Sequence, residues 1–121
     1  LRLLRAAERV LQERGGGRVL FEIEGRSRLL LCAESFLVSV TATSTQEDEA
    51  QESVEVAALR QIARVTSDQH GQLQMINSAG NPLLSLRPAD FDADSLNAFV
   101  LRLNEYRAML RQTVIGTQHA R

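Results

Sequence analysis

The chain has 121 residues, of which 44% are hydrophobic and 24% are charged, and its formal net charge is -1. This length predicts one domain with a core of its own, and the charge excludes a strongly basic nucleic-acid binder. All 14 basic residues are arginine, so every mechanism that needs a lysine nucleophile or base is excluded within these residues.

Residues 1–14 are predicted to form a short amphipathic helix. Their apolar side chains recur at the spacing of one helix face, namely Leu3, Leu4, Ala7, Val10 and Leu11. Three glycines follow at positions 15–17. Because glycine favours neither helix nor strand, they are expected to end the helix and to act as a flexible joint. Residues 1–17 are therefore assigned to a helix and joint that dock on the domain surface or on a twin subunit.

After the glycines the hydrophobic period changes to two, which is typical of strands. Phe21 and Ile23 alternate with glutamates, an apolar run follows at residues 28–32, and the alternation resumes from Phe36. This pattern predicts three antiparallel strands in a meander.

The next segment, residues 43–53, is polar and acidic. It carries Glu47, Asp48, Glu49 and Glu52 among serines, threonines and glutamines. Such a segment buries too little apolar area to offset the entropy cost of ordering it. It is therefore predicted to be a long mobile loop.

More strands are predicted beyond this loop, at residues 53–58, 61–66, 72–76 and 83–86. A break near Leu59 and Arg60 separates the first two. A turn at residues 77–81 joins the last two in a hairpin with one buried face.

The last segment is predicted to be a long amphipathic helix. Its apolar residues keep helical spacing over about five turns, namely Leu96, Phe99, Val100, Leu103, Tyr106, Leu110 and Val114. Asp90, Asp92 and Asp94 precede them and suit a helix N-terminus. Gly116 is expected to stop the helix and to leave residues 117–121 as a frayed tail.

This order of elements resembles the pleckstrin-homology-like (PH-like) superfamily, especially its bacterial members. Six or seven strands in meander order, with the segments LRQIARV and GQLQMINSAGNPLLSL, lead into one long helix. The resemblance covers residues 18–112, and we assign residues 18–116 to this domain. It implies two bent antiparallel sheets in a partly open barrel, closed at one end by the C-terminal helix. Many eukaryotic members have a tryptophan in that helix, whose space Phe99 or Tyr106 would fill here. The rival architecture is a secretion-chaperone-like α+β dimer.

Arg18, Arg26 and Arg28 flank the first predicted hairpin. The sequence GRSR within it resembles the basic spacing with which PH domains grip phosphoinositide headgroups, so the resemblance implies an anion-binding or lipid-binding site at these three arginines. Arginine suits this role because its guanidinium forms a bidentate fork for phosphate oxygens. The neighbouring Glu22 and Glu24 oppose the field of this cluster.

Catalysis is not expected within this chain. Ser67, Asp68 and His70 share one turn, where they cannot adopt the geometry that activates a serine. Cys32, the only cysteine, lies in an apolar run and is expected to be a buried, inert thiol. The two histidines are far apart in sequence and the aspartates suit a helix cap. We therefore expect neither a metal nor another cofactor.

The sequence as a whole predicts a non-catalytic binding or adaptor domain. It would hold a protein partner or a second copy of itself at an exposed strand edge or in the groove beside the C-terminal helix. Three alternatives stay open: a headgroup binder with peripheral membrane contact, a secretion-chaperone-like dimer, and a fragment of an enzyme whose active site lies elsewhere. No nucleic-acid partner is expected. The single cysteine and the lack of a signal-peptide pattern predict a cytoplasmic protein, or the cytosolic part of a larger or membrane-anchored one.

Overall fold

The computed structural model describes the backbone of residues 2–46 and 49–119, and the side chains of residues 3–42 and 52–112. Within these residues, two helices flank seven strands in the order of the chain. In chain order the elements are α1 (Arg2–Arg14), β1 (Val19–Gly25), β2 (Arg28–Ala33), β3 (Phe36–Gln46), β4 (Glu49–Ala58), a 3-10 turn (Leu59–Gln61), β5 (Arg64–Ser67), β6 (Leu73–Ile76), β7 (Pro82–Leu86), a second 3-10 turn (Pro88–Asp90) and α2 (Ala93–His119).

The strands form two antiparallel sheets that follow the order of the chain. The first sheet has the order β1-β2-β3-β4, and the second has the order β5-β6-β7. All strand pairs are antiparallel neighbours in sequence. The predicted α+β class, with an antiparallel meander between two helices, is confirmed.

One hydrophobic core joins both sheets to α2. It contains Leu30, Cys32, Leu37, Ala57 and Leu59 from the first sheet and its end, Ile62, Met75, Leu84 and Leu86 from the second sheet and its approach, and Phe91, Leu96, Phe99 and Leu103 from α2 and the residues before it. Phe99 also meets the ring of Phe21 edge-on, with 5.0 Å between ring centroids. The apolar stripe predicted on the last helix therefore packs against the strands.

A second core lies on the opposite face of the first sheet, where α1 packs. Ala7 and Leu11 of α1 join Leu29, Leu31, Ala33, Val38 and Val40 of the strands. The helix α1 therefore docks on the first sheet through an apolar interface. It arises because β2 is apolar on both faces, so the outward side chains need a cover.

The glycines after α1 form a capped turn and not the flexible joint expected from their lack of side chains. Gly15 has a left-handed φ of 65°, and the Gly16 N–H donates to the Leu11 carbonyl oxygen at 2.9 Å. This is the pattern of a Schellman cap. A Cβ on Gly16 would lie 2.7 Å from Leu11 Cδ2 and 2.8 Å from Phe36 Cδ2, so the close approach of the turn to the sheet requires glycine.

The prediction of a loop at residues 43–53 is wrong. β3 and β4 continue as a ladder from the pair Phe36 and Ala58 to the pair Gln46 and Glu49. Strand pairing satisfies backbone hydrogen bonds without buried side chains, whereas the prediction counted only apolar burial. Glu47 and Asp48 lie outside the described residues.

The corner between the two sheets lies at the predicted break. Leu59–Gln61 forms a single 3-10 turn, closed by the Ile62 N–H that donates to the Leu59 carbonyl oxygen at 3.3 Å. β5 consequently begins at Arg64, later than the predicted 61–66 strand. This corner faces the second half of α2 and forms part of the site described below.

The predicted end of the last helix at Gly116 is also wrong, because α2 continues to His119. One interior glycine costs a helix only about 1 kcal/mol relative to alanine, which does not by itself end it. Residues 120 and 121 of the predicted frayed tail lie outside the described residues.

We expect the substitution Phe99→Ala to lower the free energy of unfolding by about 3–5 kcal/mol, because it removes a ring that is 2% exposed at the centre of the main core. Chemical denaturation measures this change. The matched control is Leu101→Ala on the same helix, whose side chain is 61% exposed and whose loss should cost less than about 0.5 kcal/mol. Equal effects of the two substitutions would contradict the packing of α2 described here.

Candidate functional site

A groove of about 990 Å³ separates the C-terminal half of α2 from the corner between the sheets. The turn between β6 and β7 forms its third side. The residues that line it are Leu59, Arg60, Gln61, Ile62, Ala63, Asn77, Ser78, Arg107, Leu110 and Arg111. We call it the corner groove. Its volume is within the range of small-ligand and peptide pockets.

The corner groove combines apolar and polar groups. Leu59 and Ile62 are buried, and Leu110 is half-buried against the main core. Asn77 is held by its own turn, since its Oδ1 accepts from the N–H groups of Ala79 and Asn81 at 3.0 and 2.9 Å. The groove therefore has an apolar base and a fixed polar turn on one side.

Arg107 is the most unusual lining residue, because its side chain points from α2 into the protein and the residue is only 8% exposed. Its Nη2 donates to the Ile62 carbonyl oxygen at 2.8 Å, and its Nη1 donates to Asn104 Oδ1 at 2.9 Å. Its Nε is buried and has no hydrogen-bond partner among the described residues. Arg107 thus ties the helix to the corner while one donor is left unsatisfied.

Two further arginines carry positive charge at the same groove. Arg111 lies one helical turn after Arg107, and its Nη2 donates to the Ala63 carbonyl oxygen at 3.3 Å. Arg60 is exposed in the 3-10 turn. The lining residues include no aspartate or glutamate. Burial, and next the charge of Arg111, lower the pKa of Arg107.

The structure does not bring the predicted anion site together. Arg18 precedes β1, whereas Arg26 and Arg28 lie at the other end of it, roughly 20 Å away for a strand of this length. At its own end Arg18 is exposed and pairs with Glu34, with 3.5 Å between Nε and Oε1. The predicted strand already separates these positions, because Arg18 stands at its start and Arg26 lies in the turn that follows it.

The side chain of Arg28 already has partners within the fold. Its side chain is 12% exposed, its Nη1 lies 3.8 Å from Asp90 Oδ2, and its Nε donates to Thr41 Oγ1 at 3.0 Å. The N–H of Arg26 also donates to the Asp90 carbonyl oxygen, at 2.6 Å. The segment before α2 therefore closes over the turn between β1 and β2, and of the two arginines there Arg26 is the exposed one.

The residues considered for catalysis have structural roles. Asp68 Oδ1 accepts from the N–H groups of His70 and Gln72 at 2.8 and 2.9 Å, which stabilises the turn before β6. Asp92 Oδ2 accepts from the Ser95 N–H at 3.0 Å and so caps α2. Ser67 is exposed at the end of β5. The side chain of His119 lies outside the described residues.

A cleft of about 660 Å³ lies on the other side of α2. There Arg102 lies over the Phe21 ring at 4.4 Å, and Tyr106 donates to the Glu34 carbonyl oxygen at 2.7 Å. Glu34 and Glu105 balance the arginines of this cleft. It is therefore mixed in charge, whereas the corner groove is positive only.

Sequence analysis missed Arg60, Arg107 and Arg111. One signal was present: Arg107 follows Leu103 by four positions and precedes Leu110 by three, so it interrupts the apolar stripe of α2. An arginine on a buried helix face needs internal acceptors. The carbonyl groups of Ile62 and Ala63 that supply them are set by the corner, which the sequence pattern did not locate accurately.

Comparison of the chain with protein-family models, curated proteins and solved structures finds no match. Neither described helix combines the length and apolar character that crossing a membrane requires.

We expect little binding of the protein to liposomes that contain phosphoinositides, measured by cosedimentation at physiological salt, because Arg28 is paired and Arg18 is remote. Exposed charges beyond about 8–10 Å are screened under these conditions. Arg28→Ala should lower the free energy of unfolding by about 1–3 kcal/mol, while Arg26→Ala should change it by less than about 0.5 kcal/mol. Strong cosedimentation of the unsubstituted protein that is lost in Arg26→Ala would contradict this expectation and support the predicted headgroup site.

We expect Cys32 to resist alkylation by iodoacetamide in the native protein at pH 8. The residue is 0% exposed, and burial, only partly opposed by the charge of Arg102, raises its pKa to about 12, so almost no thiolate forms. Mass spectrometry after timed exposure measures the adduct. The same protein in denaturant is the control and should react readily. Native modification at the denatured rate would contradict the placement of Cys32 in the core.

Proposed function

We propose that this chain is a non-catalytic binding domain of PH-like architecture that holds a segment of a protein partner in the corner groove. One observation carries the proposal: an apolar base and three arginines, which have no carboxylate partner among the described residues, line one open groove beside α2. Such a combination is typical of recognition sites, where apolar contacts supply affinity and a few polar groups fix orientation.

The order of elements supports the PH-like part of the proposal. Four antiparallel strands are followed by three more and then by one long helix. The apolar face of that helix packs against both sheets through Leu96, Phe99 and Leu103. This is the arrangement expected from the resemblance in the sequence, although fold alone does not fix function.

The lining of the groove favours binding over catalysis. It contains no histidine, cysteine, aspartate or glutamate, so a general base near neutral pH is missing from the described residues around it. Ser78 also lines the groove, but no other lining residue is a base that could activate its hydroxyl group.

The geometry favours a protein partner over a lipid headgroup. Of the three arginines predicted to bind a headgroup, Arg28 is paired with Asp90 and Arg18 is paired with Glu34. The corner groove, by contrast, extends along one face of α2 and reaches Ala63, the residue directly before β5, which is an edge strand of the second sheet. Extended peptides bind at such strand edges and helix grooves through alternate side chains and main-chain groups.

Peptide selection tests this proposal. A random peptide library displayed on phage is selected against the immobilised full chain, and the enriched sequences are synthesised with a fluorescent label. The substitution Leu110→Gln should weaken their binding by roughly tenfold or more, the effect of about 1.4 kcal/mol, because it places an amide at the apolar base of the groove. Fluorescence anisotropy measures the affinity.

The matched control is Leu101→Gln, which makes the same change on an exposed part of α2 away from the groove. It should leave binding unchanged, and circular dichroism establishes that both variants are folded. Enriched peptides that respond to Leu101→Gln and not to Leu110→Gln would place the binding site elsewhere. Failure to enrich any peptide would contradict a peptide-binding function.

A further inference from the structure

The charges around the corner groove differ from those of the chain as a whole. The formal net charge of the chain is -1, yet the lining of this groove includes Arg60, Arg107 and Arg111 and no acidic residue. Arg28, whose side chain is 12% exposed, has a carboxylate partner in Asp90. The fold thus neutralises one arginine internally and leaves three together without a counterion from the described residues.

The hydrogen-bonding capacity of these arginines is only partly used. A guanidinium has five N–H donors. Arg107 uses donors on its two Nη atoms for Ile62 and Asn104, while its buried Nε has no described partner. Arg111 makes one long bond, of 3.3 Å, to the Ala63 carbonyl oxygen. The main-chain bonds hold the two guanidinium groups in place, so additional acceptors would meet donors that are already positioned.

We propose that the protein segment bound in the corner groove is acidic, and that its aspartate or glutamate carboxylates pair with Arg60, Arg107 and Arg111. The inference rests on the proposed function and names the chemistry of the partner. A carboxylate matches the planar fork of arginine and makes a stronger, charge-assisted hydrogen bond than a neutral acceptor.

The spacing of the arginines suits a peptide. Arg107 and Arg111 are four positions apart on α2, which places their Cβ atoms about 5–6 Å apart. Side chains on the same face of an extended peptide are about 6.6–6.8 Å apart. Two acidic residues separated by one other residue can therefore face the two arginines of the helix.

The apolar base selects a peptide over other polyanions. The half-buried side chain of Leu110 would remain in contact with water beside a phosphate backbone or a lipid headgroup, whereas an apolar side chain of a peptide can cover it. An acidic peptide that also carries apolar residues complements both parts of the groove.

The test compares an acidic peptide with its neutral counterpart. We expect the peptides enriched by phage selection to contain more Asp and Glu than the starting library. The probe is an enriched peptide with a fluorescent label, and its partner has every Asp replaced by Asn and every Glu by Gln. The acidic peptide should bind at least about tenfold more tightly, and its affinity should fall when NaCl is raised from about 50 to about 500 mM.

Substitutions of single arginines show which of them bind the acidic peptide. Arg111→Gln and Arg60→Gln should each weaken binding of the acidic peptide by roughly tenfold and leave binding of the neutral peptide nearly unchanged. The matched control is Arg102→Gln, which removes the same charge from the other side of α2 and should have no such effect. Arg111 and Arg60 are exposed, so these variants are expected to fold even where Arg107→Gln does not.

Different outcomes separate the failure of this inference from failure of the proposed function. Neutral and acidic peptides that bind the groove equally well would overturn the acidic partner and leave the groove as a peptide site. Loss of all peptide enrichment would overturn both. Binding to vesicles that contain phosphatidylserine, lost in Arg111→Gln, would assign the arginines to a membrane surface and also overturn the inference.

Discussion

The fold depends on one constraint, which is that β2, a central strand of the first sheet, is apolar on both faces. In β2, Leu29 and Leu31 point to one side while Leu30 and Cys32 point to the other, and all four are buried. A sheet with this pattern must be covered twice. The helix α1 covers one face, and α2 with the second sheet covers the other. Each helix is therefore required by the same short run of residues.

Arg107 links this packing to the proposed binding site. The chain leaves the first sheet at Leu59–Gln61 and pairs again only from Arg64, so the carbonyl oxygens of Ile62 and Ala63 at the corner need donors. Arg107 and Arg111 supply them from α2. The same contacts that complete the backbone hydrogen bonding of the corner also hold two positive charges at the edge of an open groove, so these residues serve both the fold and the proposed binding site.

Periodicity predicted the elements well where side-chain burial decides the structure. The stripe that contains Leu96, Phe99 and Leu103 packs as its spacing indicates, and the strands between α1 and α2 form in the predicted order. The failures fall where the backbone decides instead: the β3–β4 ladder extends through a polar segment because pairing satisfies its N–H and C=O groups. The groove was expected beside the last helix, but its arginines were not identified, since they meet only through contacts far apart in sequence.

Arg28 and Arg107 show why charge counts along a sequence do not identify a binding site. Arg28 lies in the basic motif GRSR, yet Asp90, 62 positions later in the chain, provides its counterion. Arg107 lies in an apolar stripe with no basic motif, yet its fold partners are a carbonyl oxygen and an amide, neither of which carries charge. The cost of burying a charge is reduced most by an opposite charge. Arg107 is therefore the arginine whose burial an acidic partner would make more favourable, whereas Arg28 would have to give up Asp90 first.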